Sequence, residues 1–233
     1  MIFSKKLIKG RILNCYNNLI LDVELENNKK VSVFCPDFES GKKLYTQGKE
    51  VLIKRTVNKL YKLKYEIVMI KENDSFIMIN YKFIPKIFEE AFEKDVFEEL
   101  LDYPHLTSLK PDSNHKHVTF ELYNKKNNKK CYIYLCSVYN KVDADIVFPS
   151  YLDFREMNVY NELAELRKKG LETYVFLIAP RVDTNSVKFV WNLDPIGAAK
   201  TYDEAKNGLK FVCYGCNLDK NGIEISNKIK IEF

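Results

Sequence analysis

Arginine is scarce in this chain of 233 residues, occurring only as Arg11, Arg55, Arg155, Arg167 and Arg181. Proteins that read base edges through bidentate contacts commonly offer more of that planar fork, so sequence-specific readout is disfavoured. No uncharged apolar run approaches the ~20 residues of a membrane span, and Met1 to Lys9 carries three lysines and no long apolar stretch. A membrane partner and an export signal are therefore not expected. Six cysteines at irregular spacing make no disulfide framework, which points to a cytoplasmic chain with reduced thiols. No internal repeat or low-complexity tract interrupts the sequence.

What is present is ordinary for a globular protein: 46% hydrophobic and 30% charged residues, in a length that suits one domain or two. Formal charge is +5, from 37 Lys and Arg against 32 Asp and Glu. That balance is compatible with a polyanionic partner without requiring one. The abundance of Lys and Asn is also what base composition of the gene alone would produce.

Six short β-prone runs lie at Leu7 to Leu13, Leu19 to Leu25, Lys30 to Phe34, Val51 to Thr56, Tyr65 to Lys71 and Phe76 to Ile79. Turn-forming residues separate them, and so many strands in some eighty residues predict a small barrel of the OB kind. From Phe83 to Leu101, apolar residues at helical spacing predict one or two amphipathic helices. The domain boundary is expected there, giving residues 1–81 and 82–233. Beyond it, Val118 to Tyr123 and Cys131 to Tyr139 read as a hairpin around an Asn/Lys loop. A helix follows over Glu156 to Lys169, burying Val159, Leu163 and Leu166, and then the apolar run Thr173 to Ala179. Strand, strand, helix, strand is an α/β (α+β) core whose last strand can pair parallel to an earlier one. Asp194-Pro195 starts a helix as N-cap and first residue. Asn207-Gly208 ends it before a strand from Lys210 to Tyr214. A last hairpin, Leu218 to Phe233, turns at Lys220-Asn221-Gly222.

Cys213-x-x-Cys216 tempts as a zinc or redox motif, but one such pair is half a zinc site, and core cysteines are the simpler reading. Cys131 and Cys136, five apart on a strand, point to opposite faces. His115 and His117 belong to a polar approach to a strand. Lys54, Arg55, Lys59, Lys62 and Lys64 surround a hairpin with Tyr61 and Tyr65, and Lys125, Lys126, Lys129 and Lys130 crowd the core hairpin loop. Cations beside aromatics can serve single-stranded nucleic acid; a solvated loop is the plain alternative.

Ordered landmarks run the length of the chain. They are Leu7-x-x-Gly10-Arg11, Leu21-Asp22-Val23-Glu24-Leu25, Cys35-Pro36-Asp37, Gly48, Phe148-Pro149, Arg155, Glu162-Leu163, Gly170, Asp194-Pro195 and Tyr214. In this order and spacing the chain resembles the sugar-fermentation-stimulation protein A (SfsA) family. The resemblance implies an OB-like N-terminal domain followed by a restriction-endonuclease-like domain of the PD-(D/E)xK type. It also implies nucleic-acid binding and nuclease-like chemistry, with Arg11 and Arg155 among the contacts. Such a centre holds Mg²⁺ between an acid on one strand and an acid-x-Lys on the next, where the metal activates water.

Aligned on the hairpin, this sequence departs from that pattern. The first acid falls on Thr119, the second on Tyr134, the lysine on Cys136, and the acid after Phe-Pro on Ser150. Basic helix positions fall on Val159 and Tyr160. In the first domain, two arginines fall on Cys15 and Asn18, and a histidine falls on Phe34. Hydroxyl, phenol and thiol do not replace carboxylates for a hard cation, so no intact catalytic set, metal site or cofactor is expected. Glu121, on the same strand face as Thr119, is a substitute acid. Together with Asp145 or Asp153 it would restore a Mg²⁺-dependent nuclease. The leading expectation is a nucleic-acid binder, DNA before RNA, with a homodimer as a further arrangement. Its sites are Arg11, Lys54, Arg55, Lys59, Tyr61, Lys62, Lys125, Lys126, Lys129, Lys130 and Arg155. A protein-interaction scaffold ranks second and the relocated nuclease third.

Overall fold

A computed structural model describes residues 1–16, 20–36, 44–56, 62–110, 115–149 and 154–232, without the side chains of 154–156. Asn18, Asp37, Lys59, Tyr61, Ser150, Asp153 and the Arg155 side chain lie outside the described residues. The chain divides into two units. The first comprises Met1–Phe83, Pro180–Asp183 and Cys216–Glu224; the second comprises Ile84–Ala179, Thr184–Gly215 and Ile225–Phe233.

Six strands build the first unit: β1 (Ile8–Tyr16), β2 (Ile20–Leu25), β3 (Lys30–Phe34), β4 (Glu50–Arg55), β5 (Tyr65–Glu72) and β6 (Ser75–Met78). Alternation sets the faces. On β2, Leu21, Val23 and Leu25 are buried while Ile20, Asp22 and Glu24 between them are half-exposed. The strands run in the order β3-β2-β1-β4-β5-β6, and β3 also meets β5 in parallel through Phe34 and Glu66. That extra pairing closes β1-β2-β3-β5-β4 into a five-strand barrel of the OB-like kind. Gly10 is needed where β1 crosses β2, because a Cβ there would meet Val23 Cγ1 at 2.4 Å and the Glu24 carbonyl at 3.0 Å. Asn28 and Asn73 turn the chain with positive φ, which a short polar side chain tolerates.

The return at Pro180–Asp183 is stitched to this barrel. The Met78 amide donates to the Pro180 carbonyl at 3.0 Å, and Ile77 bridges Arg181. The Arg181 side chain, 1% exposed, donates to both Asp183 oxygens at 2.6 and 2.8 Å and to Glu72 at 3.1 Å.

In the second unit, α1 (Ile84–Phe92) precedes β7 (His105–Ser108), β8 (Phe120–Asn124) and β9 (Lys129–Ser137). Next come β10 (Lys141–Val142), β11 (Asp145–Phe148), α2 (Phe154–Lys168) and β12 (Glu172–Ala179). The chain continues through β13 (Ser186–Phe189), α3 (Pro195–Lys206), β14 (Lys210–Leu218) and β15 (Ile223–Glu232). The nine strands lie in the order β10-β11-β13-β15-β14-β12-β9-β8-β7. β7, β8 and β9 form an antiparallel meander, and β12 lies parallel to β9. With α1 before the meander and α2 before β12, this is the αβββαβ core of the restriction-endonuclease-like fold.

Both faces of that core are apolar. On one, Phe88 of α1 stacks on Phe97 and Phe120 and meets Phe176 edge-on, with centroids 4.5, 5.1 and 5.2 Å away. On the other, Val159, Leu163 and Leu166 of α2 join a cluster with Tyr132, Val175 and Leu177. α3 begins as expected, the Asp194 carboxylate accepting from the Gly197 amide at 2.9 Å.

Three expectations shift. The four short strands β7, β10, β11 and β13 carry too few residues for a periodicity and were not anticipated. Cys213 and Cys216 lie inside β14 rather than at its end, both buried, because the strand runs on to Leu218. The final hairpin turns where expected, with the Asp219 amide donating to the Gly222 carbonyl at 3.0 Å, but its first arm starts at Lys210. No helix among the described residues is long and apolar enough to cross a membrane.

Candidate nucleic-acid interface and the altered metal positions

The α2-facing side of the β8–β9 hairpin carries the residues that the family resemblance aligns with a metal cradle. Thr119 directly precedes β8: its amide donates to the Ile133 carbonyl at 2.7 Å, and its hydroxyl accepts from the Leu135 amide at 3.2 Å. Tyr134 and Cys136 are half-buried and pack against the apolar cluster under α2. Cys136 Sγ leans 3.8 Å from the Ser137 carbonyl. Val159 and Tyr160, where basic residues would stand, are buried, and the Tyr160 hydroxyl lies 3.0 Å from that of Thr201. A thiol, a phenol and a hydroxyl occupied by a backbone amide do not suit Mg²⁺, which takes oxygen ligands and favours anionic ones.

Glu121 points to the same face, as expected, but its oxygens are engaged. The Tyr132 hydroxyl donates to one at 2.8 Å and Lys130 Nζ to the other at 3.0 Å. Burial alone would raise the Glu121 carboxyl; the bonds from Tyr132 and Lys130 outweigh it and hold the group below its ordinary value. Burial, then the Glu121 carboxylate, push the Tyr132 phenol above its own. The suggested companion Asp145 is not brought to Glu121. It begins β11, with five strands between it and β8 in sheet order, and is held by Lys188 and Ser186. Among the described residues no group of three or more His, Cys, Asp or Glu is placed to hold a metal ion.

Sequence reading missed one partner of this face. Glu162 on α2 accepts from the His117 amide at 3.0 Å and lies 3.3 Å from His115 Nδ1, while the His115 ring sits 4.8 Å from that of Tyr132. The link spans some 45 residues, and nothing local in the sequence announces it.

The basic residues divide into engaged and exposed. Lys54 pairs with Glu66 at 2.8 Å and lies 4.3 Å over the Phe83 ring. Lys130 serves Glu121 and sits 5.5 Å from the Tyr123 ring, and Lys129 is 3.8 Å from Asp102. Arg11 is exposed, opposite Glu24 and Glu50 in the ladders of β1. Arg55, Lys62, Lys125 and Lys126 face solvent. The hairpin turn that presents Lys125 and Lys126 is internally ordered. Asn124 Oδ1 accepts from the Lys126 amide at 2.9 Å, and the Tyr123 hydroxyl donates to Asn128 Oδ1 at 2.9 Å. Cys15 is exposed on β1, and Phe34 lies 5.2 Å beneath the Lys82 ammonium.

An OB-like barrel and a restriction-endonuclease-like αβββαβ sheet in one chain define the class: a two-unit α/β protein of that fold. The model of the sugar fermentation stimulation protein RE domain matches residues 82–222, more than half of the sequence, and the chain belongs to the SfsA family. It is 25% identical over 233 residues to the sugar fermentation stimulation protein homolog of Pelagibacter ubique, with 99% of each chain covered. The homolog of Geotalea daltonii is 24% identical over 232 residues, again covering 99% of both. The solved structure of Pyrococcus furiosus SfsA in complex with Ca²⁺ superposes with a TM-score of 0.86 at 15% identity, covering 100% of this chain and 98% of that one. At that identity the likeness concerns the fold.

Proposed function

We propose that this chain is a nucleic-acid-binding member of the SfsA family, with DNA as its preferred ligand, whose nuclease-type core binds without cleaving. One observation carries this reading: the hairpin face offers Thr119, Tyr134 and Cys136 where carboxylates and a lysine are needed, and the nearby Glu121 is held by Lys130 and Tyr132. The Pyrococcus furiosus relative was obtained with Ca²⁺, a hard cation that takes oxygen ligands; these side chains would hold such an ion poorly. Arg55, Lys62, Lys125 and Lys126 remain exposed for phosphate contacts, which supports binding through the backbone rather than base edges. The cytoplasm is the proposed setting, in line with six free thiols. A homodimer would double the number of lysine-bearing turns offered to one strand.

A second reading, a protein-interaction scaffold, is favoured by the compensation of Lys54 and Lys130 by internal acids. Labelled single- and double-stranded DNA and RNA, incubated with the full chain with and without Mg²⁺ or Mn²⁺, separate the readings. The expected result is a shifted complex that weakens steeply with salt and no cleavage product. EDTA-sensitive cleavage abolished by Glu121→Ala would restore an enzyme with relocated ligands. No binding at low salt would leave the scaffold.

A further inference from the structure

We infer that Trp191, backed by Tyr202 and Lys206, is a stacking platform for an unpaired base of single-stranded nucleic acid. This deepens the binding reading above and rests on it. Trp191 is the only tryptophan of the chain, yet its side chain is left 48% exposed in the segment joining β13 to α3. Leu193 and Ile196 beside it are 40% and 76% exposed. Burial of so much apolar surface is normally favourable, so its exposure within six residues calls for an occupant.

The platform is rigidly mounted. Asp194 caps α3, and α3 buries Gly197, Ala198, Thr201 and Glu204, which fixes the helix against its own unit. The Trp191 ring meets Tyr202 edge-on, with centroids 5.8 Å apart at 67°. Lys206 Nζ lies 4.3 Å over the Tyr202 ring. An indole held this way loses little freedom when a base settles on it.

Size and charge select the occupant. The three exposed side chains offer on the order of 300 Å², well short of the roughly 800 Å² each partner contributes to a standard protein interface. One or two stacked bases fit that area. Glu204 is neutralised between Arg167 and Lys200, the latter at 2.7 Å, and the Asp194 carboxylate is used in capping. Exposed Asp203, next to Tyr202, stands against Lys206 at the rim, so the surround carries no excess of positive charge. Such a surface holds a base by stacking more than by phosphate attraction. Its contribution to affinity is correspondingly insensitive to salt, unlike that of Lys125 and Lys126.

The test uses the full chain, whose lone indole is a built-in reporter. Oligothymidylate is titrated while tryptophan emission and the anisotropy of a labelled copy of the oligonucleotide are followed, with a duplex of equal length alongside. Emission is expected to fall on binding of the single strand only. Trp191→Ala is expected to weaken single-strand binding roughly 5- to 150-fold, the range that one base–aromatic stack spans. The slope of log affinity against log salt should not change, and Trp191→Phe should recover most of the loss. If anisotropy reports binding while emission and the alanine variant stay unaffected, the platform is wrong and the binding reading stands. If no oligonucleotide binds at all, both fall. A change of molar mass in Trp191→Ala, with Trp191→Phe unchanged, would assign the patch to a second copy of the chain and overturn the inference.

Discussion

The barrel unit and the hairpin face of the sheet unit handle charge in opposite ways. In the barrel unit, charged side chains are taken inside and matched. Arg181 is closed in by Asp183 and Glu72, while Glu66, 7% exposed, receives Lys54 at 2.8 Å and Asn80 Nδ2 at 3.3 Å. On the hairpin face of the sheet unit, the centre is neutral and the charged groups stand at the rim. Tyr134 and Cys136 lie against apolar neighbours, with Glu121, Lys130, His115 and Glu162 around them. Facing carboxylates repel one another unless a cation sits between them. Thr119, Tyr134 and Cys136 are neutral groups and bring no such repulsion to this face.

That contrast can be broken most forcefully at its two centres. Arg181→Ala strands two carboxylates beside a buried void and is expected to cost about 3–5 kcal/mol of unfolding free energy in urea titration. Phe88→Ala in the sheet unit should cost a similar amount, about 3–5 kcal/mol, but through lost packing alone. Salt added to the titrations tells them apart, since only the Arg181 difference has a charge component. A smaller effect is expected at Gly10→Ala, about 1–3 kcal/mol, because Val23 and the β2 backbone must yield to the new methyl.

The rim charges make a finer test. The Glu121 carboxyl is lowered in the folded chain, so its share of stability is complete above the ordinary glutamate value of about 4.3 and is lost as pH falls through the lower folded value. Urea unfolding at neutral pH and near pH 3 should therefore show the wild type and Glu121→Gln converging in acid. A constant gap would mean the carboxylate is not held as described. Least disruptive is Lys125→Ala with Lys126→Ala. Stability should be unchanged, while the salt slope of DNA binding drops by about 1–2.

Strands of the barrel were legible because alternation such as Leu21, Val23 and Leu25 carries its own period, and Asn turns mark the ends. The α2 face was legible for the same reason, through Val159, Leu163 and Leu166. Of the candidate site, the hairpin itself was legible; its register, with Phe120 opposite Ile133, sets Thr119 beside Tyr134. What escaped was non-local. Pairing of Arg181 with Glu72 spans 109 residues, and neither has a neighbour that hints at the other. Which lysines are compensated was equally hidden, since Lys54 and Arg55 are adjacent and yet one finds Glu66 and the other solvent.

The stitching of Pro180–Asp183 and Cys216–Glu224 into the barrel unit bears on how such a gene can be rearranged. A fragment encoding residues 1–83 would carry Glu72 without its arginine and leave the Met78 amide with no carbonyl to meet. The barrel unit is therefore completed only by residues that come after position 179, and residues 1–83 alone lack these partners.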